Sequence, residues 1–271
     1  GHTYSENLTV TLPLNFVGAG IASTIIDGGQ RARVLNITRA GSAVSISDLT
    51  VQNGLATSAN GGGINAAGPL TLTNVTVQNN SIGGVGGSGG GIFGTGALRL
   101  TNVNVLTNTV PAGDGGGIYA ASAANLTNVN VINNTATRSS TSNTYGGGMY
   151  ANAVEIRGSL FQSNRLLPLD SNNHWGGGLS VRNNLAVITN TQFISNSARA
   201  GGGLSIRDNG SAVITDTQFV GNWGNQDGGG VYSEAGSGTL RAANLLFVRN
   251  YSNNGAAIYF TNSSGSGTFN Y

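Results

Sequence analysis

The sequence predicts an all-β protein, a single-stranded right-handed parallel β-helix of about ten coils. Three observations predict it. A glycine triplet begins at Gly61, Gly89, Gly115, Gly146, Gly176, Gly201 and Gly228, every 25–31 residues, with a degenerate copy, GAAIYF, at Gly255. Two further landmarks keep a constant separation of six residues: Asn74, Asn102, Asn128, Gly158, Asn190, Asp216 and Asn244 lead, and Asn80, Asn108, Asn134, Asn164, Asn196, Asn222 and Asn250 follow. Around them apolar residues alternate with Thr, Asn and Gln, the pattern of strands with one buried face, and no stretch carries a helical period.

Each element follows from its own residues. Residues 1–60 (NLTVTLPLNFVGAG, STIIDGG, RVLNITRAG, AVSISDLTVQNG) have strand character without the triplet and form the N-terminal coils. Residues 61–254 hold seven triplet repeats, and 255–271 read as an incomplete last coil, so 1–271 is one continuous domain. The leading landmark is always Asn, Asp or Gly, residues that tolerate positive φ, so a sharp bend separates two strands there. Two residues before it stand Leu72, Leu100, Leu126, Ile156, Ile188 and Ile214. Three residues after it stand Val77, Val105 and Val131, then Phe161, Phe193, Phe219 and Phe247, which stacking would turn into an internal aromatic column. Each coil is expected to hold three short strands and three turns. At ~4.8 Å per coil the rod would be roughly 50 Å long. An alternating-strand β-sandwich is the competing arrangement.

Composition excludes several functions. With no cysteine there is no disulfide or thiolate metal site, and no metal or cofactor is expected. All 12 basic residues are arginine, so a lysine-bearing phosphate loop is excluded, and a formal charge of +2 gives no basic surface for nucleic acid. No apolar run approaches the roughly 18–20 residues of a membrane helix. The chain opens on Gly, as expected of a processed or excised segment.

FQSN (161–164), FISN (193–196), FVGN (219–222) and FVRN (247–250) alternate with GGGL, GGGL, GGGV and GAAI. This pairing resembles the repeat of the polymorphic outer-membrane-protein family, within the pectin-lyase-like superfamily of right-handed β-helices, as found in large prokaryotic surface proteins. The likeness spans about residues 61–260, with QNN, LTN and INN endings in the first three copies. It implies secretion to the cell surface and structural or adhesive work. It brings no catalytic residues.

The residues themselves offer little for catalysis. GGSGG (86–90) satisfies GxSxG, but a nucleophile elbow needs a following helix and a histidine, and only His2 and His174 exist. Asp114 and Asp227 share the slot before the triplet but stand four coils apart, about 19 Å, against the roughly 5–9.5 Å that glycosidase carboxylates need. A non-catalytic protein is expected, with a polysaccharide lyase or hydrolase as the alternative.

Binding is expected in the segments between the trailing landmark and the next triplet, which vary from 4 to 11 residues and should project from one corner. The two longest, TATRSSTSNTY and RLLPLDSNNHW, bring Arg138, Tyr145, Arg165, Asp170, His174 and Trp175 together, with Trp223 and Asp227 two coils on. Aromatic and polar groups side by side suit surface glycans or proteins of a neighbouring cell. The residue after each triplet's apolar neighbour is Phe93, Tyr119, Tyr150, Tyr232 or Tyr259, interrupted by Ser180 and Ser205; alternation should face these outward as an exposed aromatic stripe. Asn7, Asn36, Asn79, Asn125, Asn133, Asn209, Asn250 and Asn262 lie in Asn-x-Ser/Thr sequons and are candidate glycosylation sites; Asn74 is also in one but belongs to the bend. Neither end reads as a cap, so strand edges could pair with a second copy head to tail and build a filament.

Overall fold

The computed structural model describes residues 1–137, 143–169, 174–234, 236, 238–261 and 266–270, the last two by backbone. Among these every regular element is a β-strand, and the strands stack into a parallel β-solenoid of about nine turns, one fewer than the repeat count suggests. The repeats align coil on coil with equivalent positions in register, as in Phe161↔Phe193 and Phe219↔Phe247.

One coil illustrates the rest. Ile92–Gly94 and Leu98–Thr101 lie on two faces; Asn102, with φ of 54°, turns the chain into Asn104–Leu106. All the described leading landmarks have φ between 48° and 58°. A second left-handed residue, Thr107 here, precedes the trailing Asn108. The chain then enters Thr109–Val110, a fourth strand that the three-strand expectation did not contain. These fourth strands, together with the short strands Thr144–Tyr145 and His174–Trp175, form a separate ten-stranded sheet beside the main one of 24 strands. The variable segments therefore do not simply project from a corner: they begin as strands. Their one inward residue per coil, Ala56, Ile82, Val110, Ala136, Leu166 or Ala198, builds a small second core.

The main core is a set of columns that includes Leu72–Leu100–Leu126–Ile156 and the rings of Phe161, Phe193 and Phe219, all fully buried. The four phenylalanines stack at 4.9–5.0 Å between centroids, with Phe247 half-buried at the end of the column. At the trailing landmark a buried asparagine ladder runs from Asn80 to Asn250. In each step the side-chain oxygen accepts from the backbone N–H and the side-chain amide of the asparagine before it, as Asn134 does for Asn108 at 2.9 and 3.0 Å. The second amide proton goes to a carbonyl one coil back, Asn108 to Val77 at 3.1 Å. A buried primary amide has two donors and two acceptor sites, and the ladder uses all of them. The leading landmarks form an exposed counterpart, Asn102 donating to Asn74 at 3.1 Å and Asn244 to Asp216 at 2.5 Å.

The glycine triplet has two separate causes. Its first member adopts positive φ in every copy, 61° to 78°. The second and third let coils approach: a Cβ on Gly116 would sit 2.2 Å from the carbonyl oxygen of Gly147, and one on Gly117 2.8 Å from that of Gly148. These contacts point towards the following coil, so Ala256 and Ala257 are tolerated on the last described turn, where both are exposed.

Candidate functional site

Functional chemistry would have to come from side chains that the columns leave over, and the densest such group lies over the strands that follow the triplets. Ile118 faces the main core and Tyr119 faces away from it, as alternation requires. The stripe is nonetheless not exposed, which corrects the expectation. Tyr150 and Tyr232 are buried, and Phe93, Tyr119 and Tyr259 are half-buried. The cause is the return arm of the long variable segments. Thr144–Tyr145 and His174–Trp175 pair with each other and, through Trp175↔Ala200, with the second sheet, roofing the stripe. Alternation tells which side of the sheet a residue is on, and a roof made by another segment has no signature at that residue.

Along the stripe Phe93, Tyr119 and Tyr150 stack at 4.9 and 4.7 Å, and Tyr232 and Tyr259 at 5.7 Å. Where the stripe has Ser180 and Ser205, hydrogen-bonded to each other at 2.9 Å, Tyr145 and Trp175 complete the cluster. Tyr145 stacks on Trp175 at 5.2 Å; Arg182 covers the Tyr145 ring at 4.3 Å and Arg207 the Trp175 ring at 3.8 Å. Each arginine also holds a carboxylate one coil further on, Arg182 with Asp208 and Arg207 with Glu234 at 2.7 Å. Cation–π contact and ion pair together clamp the roof onto the rod.

The candidate ligand-binding set is thereby divided. Tyr145, His174 and Trp175 are buried, correcting their assignment to an exposed binding corner, because their strands cover the stripe. Arg165 is exposed on Arg165–Leu167. Arg138, Asp170 and the sequon residue Asn262 lie outside the described residues. Trp223 stays 43% exposed and meets Tyr251, 60% exposed, edge to face at 6.4 Å. Asp227 lies on the same strand as Trp223 and accepts from Asn254 at 2.9 Å. Tyr251 was not singled out from the sequence, although it occupies the Trp223 register one coil later.

Asp114 is the one described carboxyl raised well above its ordinary value, to about 6. Burial is the cause, opposed by the Tyr145 N–H at 2.8 Å and by the charge of Arg182. It closes a chain of side-chain acceptors in the slot before the triplet, Asn60 to Ser88 and Ser88 to Asp114. Burial also pushes the Tyr150 hydroxyl up, to about 12. Glu155 and Arg157 pair at 2.5 Å on the outer surface. Among the described residues no group of three or more His, Asp or Glu side chains is placed to hold a metal ion, and no helix is long and apolar enough to cross a membrane.

Of the sequons, Asn7, Asn79, Asn133 and Asn209 are exposed, while Asn36 and Asn125 are half-buried. Asn250 is corrected as an acceptor: its amide donates to the Phe219 carbonyl at 2.8 Å and its oxygen receives Asn222, so it belongs to the internal ladder.

The fold and its columns define a parallel β-solenoid built from a degenerate 25–31-residue repeat. No family model, curated protein or solved structure matches the chain.

Proposed function

We propose that this protein is a non-catalytic, secreted cell-surface rod with a structural and adhesive role. The observation that carries the reading is the axial use of its polar side chains. The amides of Asn80 to Asn250, and the pairs Arg182–Asp208 and Arg207–Glu234, each satisfy a group one coil away. Such side chains stiffen a rod and are not free for a substrate. The GGG[ILMV] and Phe-x-x-Asn pairing supports assigning the repeat to the polymorphic outer-membrane type within the pectin-lyase-like superfamily, with extracellular localisation and glycans on Asn79 or Asn133. A panel of neutral and acidic polysaccharides, scored for reducing ends and for unsaturated products, tests it. No turnover is expected; turnover that disappears in Asp114→Asn would overturn it.

A second reading, a carbohydrate-binding module, rests on the exposed Trp223–Tyr251 pair, since sugar rings stack on open aromatic faces. A glycan array comparing the native chain with Trp223→Ala decides that reading. End-to-end filament growth is favoured by the half-buried Leu8, Val10 and Phe16 at one end and Phe247, Ile258 and Phe260 at the other. A coil continuing in the same register would meet the Ala256 and Ala257 methyls, so such a contact would have to be offset. Electron microscopy of concentrated protein distinguishes filaments from single rods.

A further inference from the structure

The second sheet starts later than the main one. Its first strand, Leu55–Thr57, pairs on one side with Ser81–Gly83, and among the described residues no strand pairs with its other side. Beneath it lies a cavity of about 360 Å³ bounded by the strand itself, by residues 7–9 and by residues 31–33.

Three features of this cavity point the same way. The first is an unfilled backbone edge. In a strand, successive residues direct their N–H and C=O to opposite sides. Ser58 N–H donates to Gly83 on the paired side, and Leu55 N–H donates to Ala32 on the cavity side at 3.0 Å. The Leu55 carbonyl and both backbone groups of Thr57 therefore face the cavity, and among the described residues no group pairs with them. The second is charge. Arg31 and Arg33 line the cavity and no acidic residue does. Arg33 spends part of its guanidinium on the carbonyls of Asn60 and Gly61 and on Asn36 Oδ1 at 3.1 Å, which leaves it without a carboxylate. The third is an apolar floor, Leu8, Leu55, Ala56 and Ala59, where the second core opens.

We propose that this cavity binds an extended acidic peptide of a partner protein, which adds as a parallel or antiparallel strand to Leu55–Thr57 and places a carboxylate against Arg31 and Arg33. A three-residue edge matches about three peptide residues, some 10 Å of extended chain. Backbone pairing supplies affinity and the alternate side chains supply selectivity, the apolar ones towards Ala56 and the acidic one towards the arginines. An unmet N–H flanked by unmet carbonyls selects a peptide over an anionic sugar, because a sugar offers no matching ladder. The proposal is independent of the adhesive reading, since it concerns the opposite end of the second sheet from Trp223.

Fluorescence anisotropy with a labelled, terminally blocked peptide of alternating Val and Asp tests it, against the same peptide with Lys for Asp and against one N-methylated at the central residues. Binding of the Asp peptide is expected, roughly tenfold weaker in Arg31→Glu, where an attractive contact becomes a repulsive one. It should be lost with the Lys or N-methylated peptide. Thr57→Pro removes the edge donor at a position where proline is tolerated, and should abolish binding while leaving the melting temperature unchanged. Absence of binding overturns the proposal. So does equal binding of the N-methylated peptide, or binding of a uronic-acid oligosaccharide instead. Self-association that Thr57→Pro removes would assign the edge to a second copy and equally overturn it.

Discussion

Asn164 and Asn196 form one rung of the buried ladder. The side-chain amide of Asn164 lies 3.0 Å from Oδ1 of Asn196, which also accepts the backbone N–H of Asn164 at 3.0 Å. The other amide proton goes to the Val131 carbonyl at 2.8 Å. An aspartate here keeps the shape and reverses the chemistry: a carboxylate would face two acceptors with no proton to give. Asn164→Asp is expected to destabilise the protein by about 3 kcal/mol or more at neutral pH. Because the protonated acid can donate again, the deficit should narrow as pH falls. Urea unfolding at pH 4 and pH 7 measures both. A variant as stable as the native chain at pH 7 would mean that the ladder is not holding the corner.

The glycine triplet gives a prediction with an internal control. Gly116→Ala places a methyl 2.2 Å from the Gly147 oxygen and 2.6 Å from the Thr135 carbonyl carbon, both backbone atoms. The coils must separate to admit it, which overpacking data put at about 1–3 kcal/mol, with this contact at the upper end. Ala256 already carries the equivalent methyl in the open, so Ala256→Gly should change stability by less than about 1 kcal/mol, through chain entropy alone. Similar melting shifts for the two variants would contradict the stacking cause assigned to the triplet.

What was legible in the sequence had a demand that few residues meet. Asn102 and Gly158 could be read because a left-handed bend accepts few types, and Asn108 because its contacts require a primary amide. The second left-handed column was not legible: it contains Thr107, Ser163, Ser195 and Arg249 beside Asn53, Asn79 and Asn133. There the ladder asparagine that follows holds the turn, so the residue itself is only weakly constrained. The fourth strand was hidden for a related reason. Its single inward position is often alanine, as at Ala56, Ala136 and Ala198, too small to stand out as a strand pattern. At the candidate site, the sequence places Tyr150 on an outward stripe and Trp175 in a separate loop corner, and their joining into one buried cluster is not legible because it depends on a return arm whose length varies from coil to coil.

The two tryptophans should report opposite environments. Trp175 is 6% exposed, sandwiched between Tyr145 and Arg207, whereas Trp223 is 43% exposed. In Trp223→Phe the remaining fluorescence should be blue-shifted and only weakly quenched by acrylamide; in Trp175→Phe it should be red-shifted and readily quenched. Stability should separate them too. Trp175→Ala opens the roof and is expected to cost about 3–5 kcal/mol, as for a large buried aromatic, while Trp223→Ala should stay within about 0.5 kcal/mol. Equal quenching of both tryptophans would place the return arm away from the stripe.

Asp114 makes stability depend on pH with a definite sign. Burial raises its carboxyl from the ordinary 3.8 to about 6, so the folded chain holds this proton more tightly than the unfolded chain does. Its contribution is therefore fully present below about pH 3.8 and is lost as pH rises through 6. A shift of about two units bounds the loss at roughly 3 kcal/mol, and partial solvent access brings the expected value to about 1–2 kcal/mol. Asp114→Asn keeps the acceptor for the Tyr145 N–H and removes the ionisation. The variant should match the native chain near pH 4 and exceed its stability above pH 6, with a flatter profile between. Urea midpoints taken from pH 4 to pH 8 measure this. Parallel profiles for the two proteins would show that the carboxyl is solvated and that the return arm does not seal the slot before the triplet.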